Sequence, residues 1–350
     1  MVSKSFPLWK EGCIHKGSKE NIMNIIGIDV SKNKLDCALI NDSNHAKFKF
    51  KVVSNSEDGF IALIDWLSKH IKSTAQEYHF VMEATGVYHE RCAEWLFNTG
   101  SKVSVVNPAH IKYYGQSLGV RSKNDKKDSV VLARYGLTQK PIAWEPETPE
   151  IRILKALASR LDAIEKDILR EKNRYEKSSI NPCSDSVLDS IKMILAVLNG
   201  EKTNLERLIE LHINQYEYLQ HNYALLLTIP GVEPVVSRYM LIVIGSRTFK
   251  SASQCAAYIG LVPIQNESGS SLKGRSRLSK AGNPVIRAKL YMAAISALQH
   301  NPDIKIQNQR LLKKGKSKIS ALCAAMRKLV HICFGVIKHQ RPYQVQASLI

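Results

Sequence analysis

The chain switches repeatedly between two hydrophobic periods. Ile25–Ser31 is a β-branched apolar run and predicts a buried strand. The polar turn Lys32-Asn33-Lys34 leads to a second strand over Leu35–Asn41. Lys47–Ser54 alternates lysines with Phe48, Phe50 and Val52, the period-two pattern of a half-exposed strand. Residues 57–72 change period, with Phe60, Leu63, Ile64 and Leu67 on one helical face. His79–Ala84 predicts a buried strand, Tyr88–Asn98 a helix, and Val103–Val106 another strand stopped by Asn107-Pro108. Three strands joined by short turns, followed by strand–helix–strand alternation, predict an α/β domain: one mixed sheet with flanking helices.

The pattern becomes all-helical after residue 147. Leu154, Leu157, Leu161, Ile164 and Ile168 recur at spacings of three and four. Val187, Ile191, Ile194, Leu198, Leu205 and Leu208 continue after a break at Asn181-Pro182. Residues 148–222 therefore read as two long helices, either a dimerising coiled coil or an ordinary amphipathic pair. In the mainly helical segment 223–343, Pro230-Gly231 separates two apolar runs. This resembles a helix-hairpin-helix, whose turn can offer backbone N–H groups to a phosphate. A Ser/Gly-rich stretch from Gln265 to Ser279 reads as a loop. Helices over 284–299 and 317–338 carry apolar stripes, among them Ile286, Leu290, Leu322 and Leu329, that belong in a core. Residues 1–23 show no period and read as a leader ending at Met23; residues 344–350 read as a tail.

Composition adds a partner. A length of 350 residues allows two or three modest cores. The net charge of +19 favours a polyanion. Residues 301–350 carry ten Lys or Arg against a single acid, Asp303. Lys313, Lys314, Lys316 and Lys318 form the densest run; a solvated loop is the bland reading, and contact with a nucleic-acid backbone the preferred one. No apolar stretch reads as approaching the roughly 20 residues of a spanning helix, so no membrane partner is expected. The seven cysteines are odd in number and form no C-x-x-C pair. That argues against zinc or a disulfide framework and for a reducing, cytoplasmic setting.

The candidate chemistry is acidic, within a basic chain. Asp29 and Glu83 end the apolar runs of two predicted strands, and Asp125 and Asp128 stand three residues apart. Strand-end carboxylates project from one sheet edge, and an i, i+3 pair shares a helix face. Close carboxylates repel one another, and a divalent cation relieves the repulsion. Oxygen ligands favour Mg²⁺ or Mn²⁺. Spacing alone favours a solvated charged loop for Asp125 and Asp128. Asp36 reads as a decoy on a strand edge. Glu90 and Glu94 read as helix-surface acids.

A second candidate lies in Glu267-Ser268-Gly269-Ser270-Ser271-Leu272-Lys273-Gly274-Arg275-Ser276-Arg277. Glycine lets backbone approach a phosphate, basic side chains hold its oxygens, and an activated serine can attack phosphorus. By itself such a loop is more often a phosphate binder or a linker.

Gly27-Ile28-Asp29-Val30-Ser31-Lys32, Met82-Glu83-Ala84-Thr85-Gly86-Val87-Tyr88 and Lys123-Asn124-Asp125-Lys126-Lys127-Asp128 resemble the first domain of the DEDD transposases of the insertion sequence 110 group. Ile229-Pro230-Gly231-Val232, Gly260-Leu261-Val262-Pro263, Glu267-Ser268-Gly269 and Leu278-Ser279-Lys280-Ala281-Gly282-Asn283 resemble that group's C-terminal domain. Relatives typically carry Thr where this chain has Asn124 and Ala where it has Ser129; neither change removes a carboxylate. The resemblance implies an RNase H-like, RuvC-type nuclease domain over 24–147, with Asp29, Glu83, Asp125 and Asp128 as metal-binding catalytic acids. It implies a C-terminal transposase domain over 223–343, with Ser268 as nucleophile and Ser270 or Ser271 as fallbacks. Lys273, Arg275, Arg277, Lys280 and Arg287 become phosphate contacts. It further implies a bacterial transposase or site-specific recombinase that is guided by a structured bridge RNA. Such an enzyme joins donor and target DNA as a homodimer assembling to a tetramer. The rivals are a structure-selective endonuclease that hydrolyses with water, and a non-catalytic nucleic-acid-binding protein.

Overall fold

The computed structural model describes residues 24–40, 47–71, 77–119, 124–180, 184–268 and 272–346, with backbone alone for 266–268 and 272–276. The expected leader lies outside the described residues. The described residues before Glu147 form one compact unit, and those from Glu147 onward a second.

The first unit is built on a five-stranded mixed sheet. Its strands are β1 (Asn24–Val30), β2 (Lys34–Ile40), β3 (Phe48–Ser54), β4 (Tyr78–Glu83) and β5 (Lys102–Val106). They lie in the order β3-β2-β1-β4-β5, with β1–β3 antiparallel and β1, β4 and β5 parallel. Alternation along β1 sends Ile26, Ile28 and Val30 to one face. There they pack with Phe60, Leu63 and Leu67 of α1 (Glu57–His70) and Leu96 of α2 (Glu90–Asn98). Ile25 and Val81 face the other way. They pack against Ile111 of α3 (Pro108–Ser117) and Val131 and Leu132 of α4 (Asp125–Gln139). The lysines of β3 lie on an edge strand, where charge discourages further pairing. Lys126 and Arg134 of α4 stack over the Phe50 and Phe48 rings at 4.1 and 5.4 Å, tying helix to edge.

Asn107-Pro108 ends β5 at Val106, as the sequence suggests, and it also starts α3. Asn107 caps the Ala109 N–H at 2.9 Å, and Pro108 occupies the first turn, where its missing N–H costs nothing. The same Asn-Pro device starts α11 (Pro302–Lys313), between the two expected C-terminal helices.

The second unit is mainly helical. α5 (Pro149–Ile180) and α6 (Asp185–Gln215) pack as a helical hairpin. Its core occupies one end, from Ile151 to Ile168 on α5 and from Leu205 to Ile213 on α6. α7 (Glu217–Leu227) and α8 (Pro234–Gly245) flank the Pro-Gly turn. A side chain on Gly231 would lie 2.6 Å from the Ala297 Cβ, and the Asn301 amide donates to the Pro230 carbonyl. This turn packs on α10 (Pro284–His300), with Pro230 and Gly231 half-buried. α9 (Ala252–Ile259) precedes a hairpin of β6 (Pro263–Ser268) and β7 (Leu272–Leu278). The Gln265–Ser279 stretch is therefore largely paired strand, not loop. α12 (Lys318–His339) corrects the expectation of no spanning-length apolar stretch: by length and mean hydropathy, 1.5, it qualifies. It packs as a core helix, with Leu322, Met326, Leu329, Val330 and Cys333 buried among α7–α10.

Candidate active site

Strand alternation decides which acids can meet. On β1 the residues facing α4 are Ile25, Gly27 and Asp29. On β4 they are Val81 and Glu83, and on β2 they are Lys34, Asp36 and Ala38. Ile28 pairs with Met82 in the parallel ladder, so Asp29 and Glu83 end adjacent strands side by side. Gly27 lets α4 settle on this face: a Cβ there would lie 2.1 Å from the Ser129 carbonyl oxygen and 2.4 Å from the Ala133 nitrogen. α4 starts just beyond the sheet edge. Asn124 caps it by accepting from the Lys126 N–H at 2.9 Å, and Asp125 and Asp128 occupy its first turn. Thr at this position would also be a good cap and would preserve the turn that presents both acids.

The electrostatics register the convergence. The Asp29 carboxyl is pushed up to about 6, first by burial and then by the negative charges of Asp128, Asp125, Asp36 and Glu83. Asp36 does not sit on a sheet edge, as its sequence suggests. It lies on an interior strand, directly across the ladder from Asp29, and faces the same side. Period-two alternation from Lys34 contained that signal; an isolated acid in an apolar strand hid it. Lys34 bridges the group, with its ammonium 2.7 Å from Asp125 Oδ2 and 3.1 Å from Asp36 Oδ2.

The donor set suits a hard divalent cation, being all carboxylate and mutually repulsive. Among the described residues no three His, Cys, Asp or Glu side chains are grouped tightly enough to share one ion, so binding requires carboxylate rotation. Lys34, already seated between two of the acids, shows that positive charge is accommodated there.

In the second unit, Ser268 ends β6 and pairs across the hairpin with Leu272, while Lys273 pairs with Glu267. Arg275 lies on β7; Ser270 and Ser271 lie outside the described residues. The base of the hairpin is firmly built. A side chain on Gly282 would lie 2.3 Å from the Tyr258 carbonyl, and one on Gly260 2.9 Å from the Gly282 nitrogen. The Arg287 guanidinium donates to the carbonyls of Ile259 and Gly282, so it braces this junction from a half-buried position. Lys280 is exposed and left-handed, with φ 55°, and Arg277 is exposed on β7. Lys313, Lys314, Lys316 and Lys318 are all exposed around the turn from α11 to α12.

Residues 26–178 match the model of the DEDD transposases of the IS110 type, and residues 223–309 that of the transposase IS116/IS110/IS902 family. The pilin gene-inverting proteins of Moraxella lacunata and Moraxella bovis are 35% and 34% identical over 320 residues, spanning 91% of this chain and 97% of theirs. The chain belongs to the IS110 family of transposases. The transposase of insertion sequence IS1111A from Coxiella burnetii is 25% identical over 297 residues, 76% of this chain and 79% of that one. This IS110 transposase is accordingly a DNA recombinase, its substrates are DNA, and its family implies a divalent cation. All four acids fall within the first match and Ser268 within the second; the lysines from Lys313 onward lie beyond both.

Proposed function

We propose that this transposase cuts and rejoins DNA by phosphoryl transfer, with Asp29, Glu83, Asp125 and Asp128 serving a Mg²⁺-assisted site, or Mn²⁺ in its place, and Ser268 as nucleophile. The observation that carries the reading is the placement of acids from β1, β4 and α4 on one side of the sheet, where burial first and then the neighbouring negative charges push Asp29 up to about 6. A strand order with parallel β1, β4 and β5 beside an antiparallel β1–β3 edge supports an RNase H-like, RuvC-type domain over 24–147. The helical segment 148–222 and the transposase domain 223–343 follow.

A bound divalent cation would supply charge for the phosphate oxygens and activation of the attacking group. The chain's own part is to hold the acids and to deliver a hydroxyl. The Ser268 hydroxyl gives up its proton as Oγ bonds to phosphorus, and the bond from phosphorus to one deoxyribose oxygen breaks. That oxygen leaves as a hydroxyl. A deoxyribose hydroxyl of the new partner strand then attacks the phosphoserine, restoring serine and joining the strands.

Guidance by a structured bridge RNA and assembly of dimers into a tetramer complete the proposal. The exposed lysines around Gly315 and the overall charge of +19 support a large polyanionic partner. A transposase works where its DNA lies, which places it in a bacterial cytoplasm. A second reading is site-specific inversion of a DNA segment, favoured by the names of the two Moraxella relatives. The two readings share their chemistry and differ in product: an inverted segment or an inserted element.

The test is a pair of variants on supercoiled substrate. Asp29→Ala should abolish strand transfer while leaving nucleic-acid binding within about twofold. Ser268→Ala should remove the covalent protein–DNA adduct seen after denaturation. Full activity in the first variant ends the metal-site reading. An unchanged adduct in the second moves the nucleophile elsewhere, and cleavage without any adduct favours the hydrolytic endonuclease.

A further inference from the structure

On their side of the sheet, the acids of the tetrad meet a cation of the chain itself that ion-pairs with one of them. Lys34 opens β2, and its backbone is held by a tight turn. The Ser31 N–H donates to the Lys34 carbonyl at 3.0 Å. The Ser31 hydroxyl donates to the same oxygen at 2.9 Å and accepts from the Lys34 N–H at 3.3 Å. The next turn is anchored too: the Asn55 N–H donates to the Asn33 carbonyl at 3.0 Å. From this fixed base the side chain reaches along the face that carries Asp29. Its ammonium donates to Asp125 Oδ2 at 2.7 Å and lies 3.1 Å from Asp36 Oδ2. Asp36 is largely covered, with 13% of its side chain exposed, whereas Asp125 and Lys34 are about half exposed. One end of the bridge is therefore embedded in the sheet, and the other holds an acid at the start of a helix.

We propose that Lys34 is a positioning residue acting as a resident counter-cation: it holds Asp125 toward Asp36 and competes with the divalent cation for that carboxylate. This rests on the reading of Asp29, Glu83, Asp125 and Asp128 as the cation site. Two observations carry it. The ammonium occupies a carboxylate oxygen that a metal ligand needs. It also adds a positive charge within a few ångströms of any ion bound to Asp125, which by Coulomb's law opposes that ion at any dielectric constant. The chain thereby balances repulsive acids before DNA and cation arrive. Release of Asp125 from Lys34 accompanies loading, and the freed ammonium, still paired with Asp36, is left beside the cation where the DNA phosphate carries negative charge.

The test measures Mn²⁺ binding to the full chain by electron paramagnetic resonance, without nucleic acid. Wild type, Lys34→Met, Lys34→Arg and Asp29→Asn are compared, with Lys34→Gln in reserve if Lys34→Met does not fold. Removing the competing charge should tighten Mn²⁺ binding by about three- to tenfold. Lys34→Arg should stay near wild type. A residue with only a structural role would weaken binding when removed, not tighten it. The proposal is overturned if wild type binds Mn²⁺ in an Asp29-dependent way and the charge-removing variant binds equally or more weakly. If wild-type binding is absent, or unaffected by Asp29→Asn, the cation site itself fails, and this proposal with it.

Discussion

Gly27 controls the distance between β1 and α4. A methyl group there meets backbone atoms of Ser129 and Ala133, which cannot swing aside as a side chain would. Gly27→Ala should destabilise the first unit by about 1–3 kcal/mol, toward the upper end because backbone must shift. Urea unfolding followed by tryptophan fluorescence would measure it, and wild-type stability would show that α4 has room to spare. The variant should also lose strand transfer, because Asp125 and Asp128 move away with the helix. In the sequence, Asp29 and Glu83 are picked out by their places at strand ends, and Asp125 and Asp128, whose spacing alone favours a solvated loop, by the family resemblance. Asp36 and Lys34 are not. An acid or a lysine in a short strand has many uses, and only the register opposite Asp29 assigns these two.

At the scale of elements, the long helical hairpin of α5 and α6 divides into two parts. One end is buried, while farther along Leu169, Met193 and Val197 are 60–65% exposed. Apolar side chains kept in water along one hairpin suit association with a second copy better than solitude. Under the proposed dimer, Met193→Lys combined with Val197→Lys should shift the chain toward monomer without lowering its melting temperature. Sedimentation velocity would report this, and an unchanged oligomer would move the interface elsewhere. Both long helices are legible because a strong 3.6-residue period over 30 or so residues has few other solutions. The β6–β7 hairpin is not. Ser, Gly, Lys and Arg have weak strand preference, and these strands exist through pairing with each other. α3 and α11 are hidden for another reason: Asn-Pro suggests a stop, although Asn followed by Pro is equally a cap and a first helical residue.

For the whole molecule, charge is the property that reaches a partner. The exposed lysines at 313, 314, 316 and 318 surround one turn at the surface of the second unit. Replacing all four by Gln should weaken binding to DNA, and to the proposed guide RNA, and flatten the dependence of log affinity on log salt, by about 0.9 for each duplex phosphate no longer neutralised. Filter binding over a salt series measures the slope; an unchanged slope would mean that the phosphates are held elsewhere. α12 makes a related point about composition. Its hydropathy would suit a membrane, yet its apolar face fills the core of the second unit, so only packing distinguishes the two uses.

By itself the sequence determined the alternation of strands and helices in the first unit, the two long helices and the basic surface, because these depend on periodicity and composition within short windows. Only the tertiary structure decided that a glycine brings α4 onto β1, that Asp36 joins the acids under a lysine bridge, and that the serine stretch is a paired hairpin. Each of those depends on register and close approach between segments distant in the chain, and local preference carries no record of such distances.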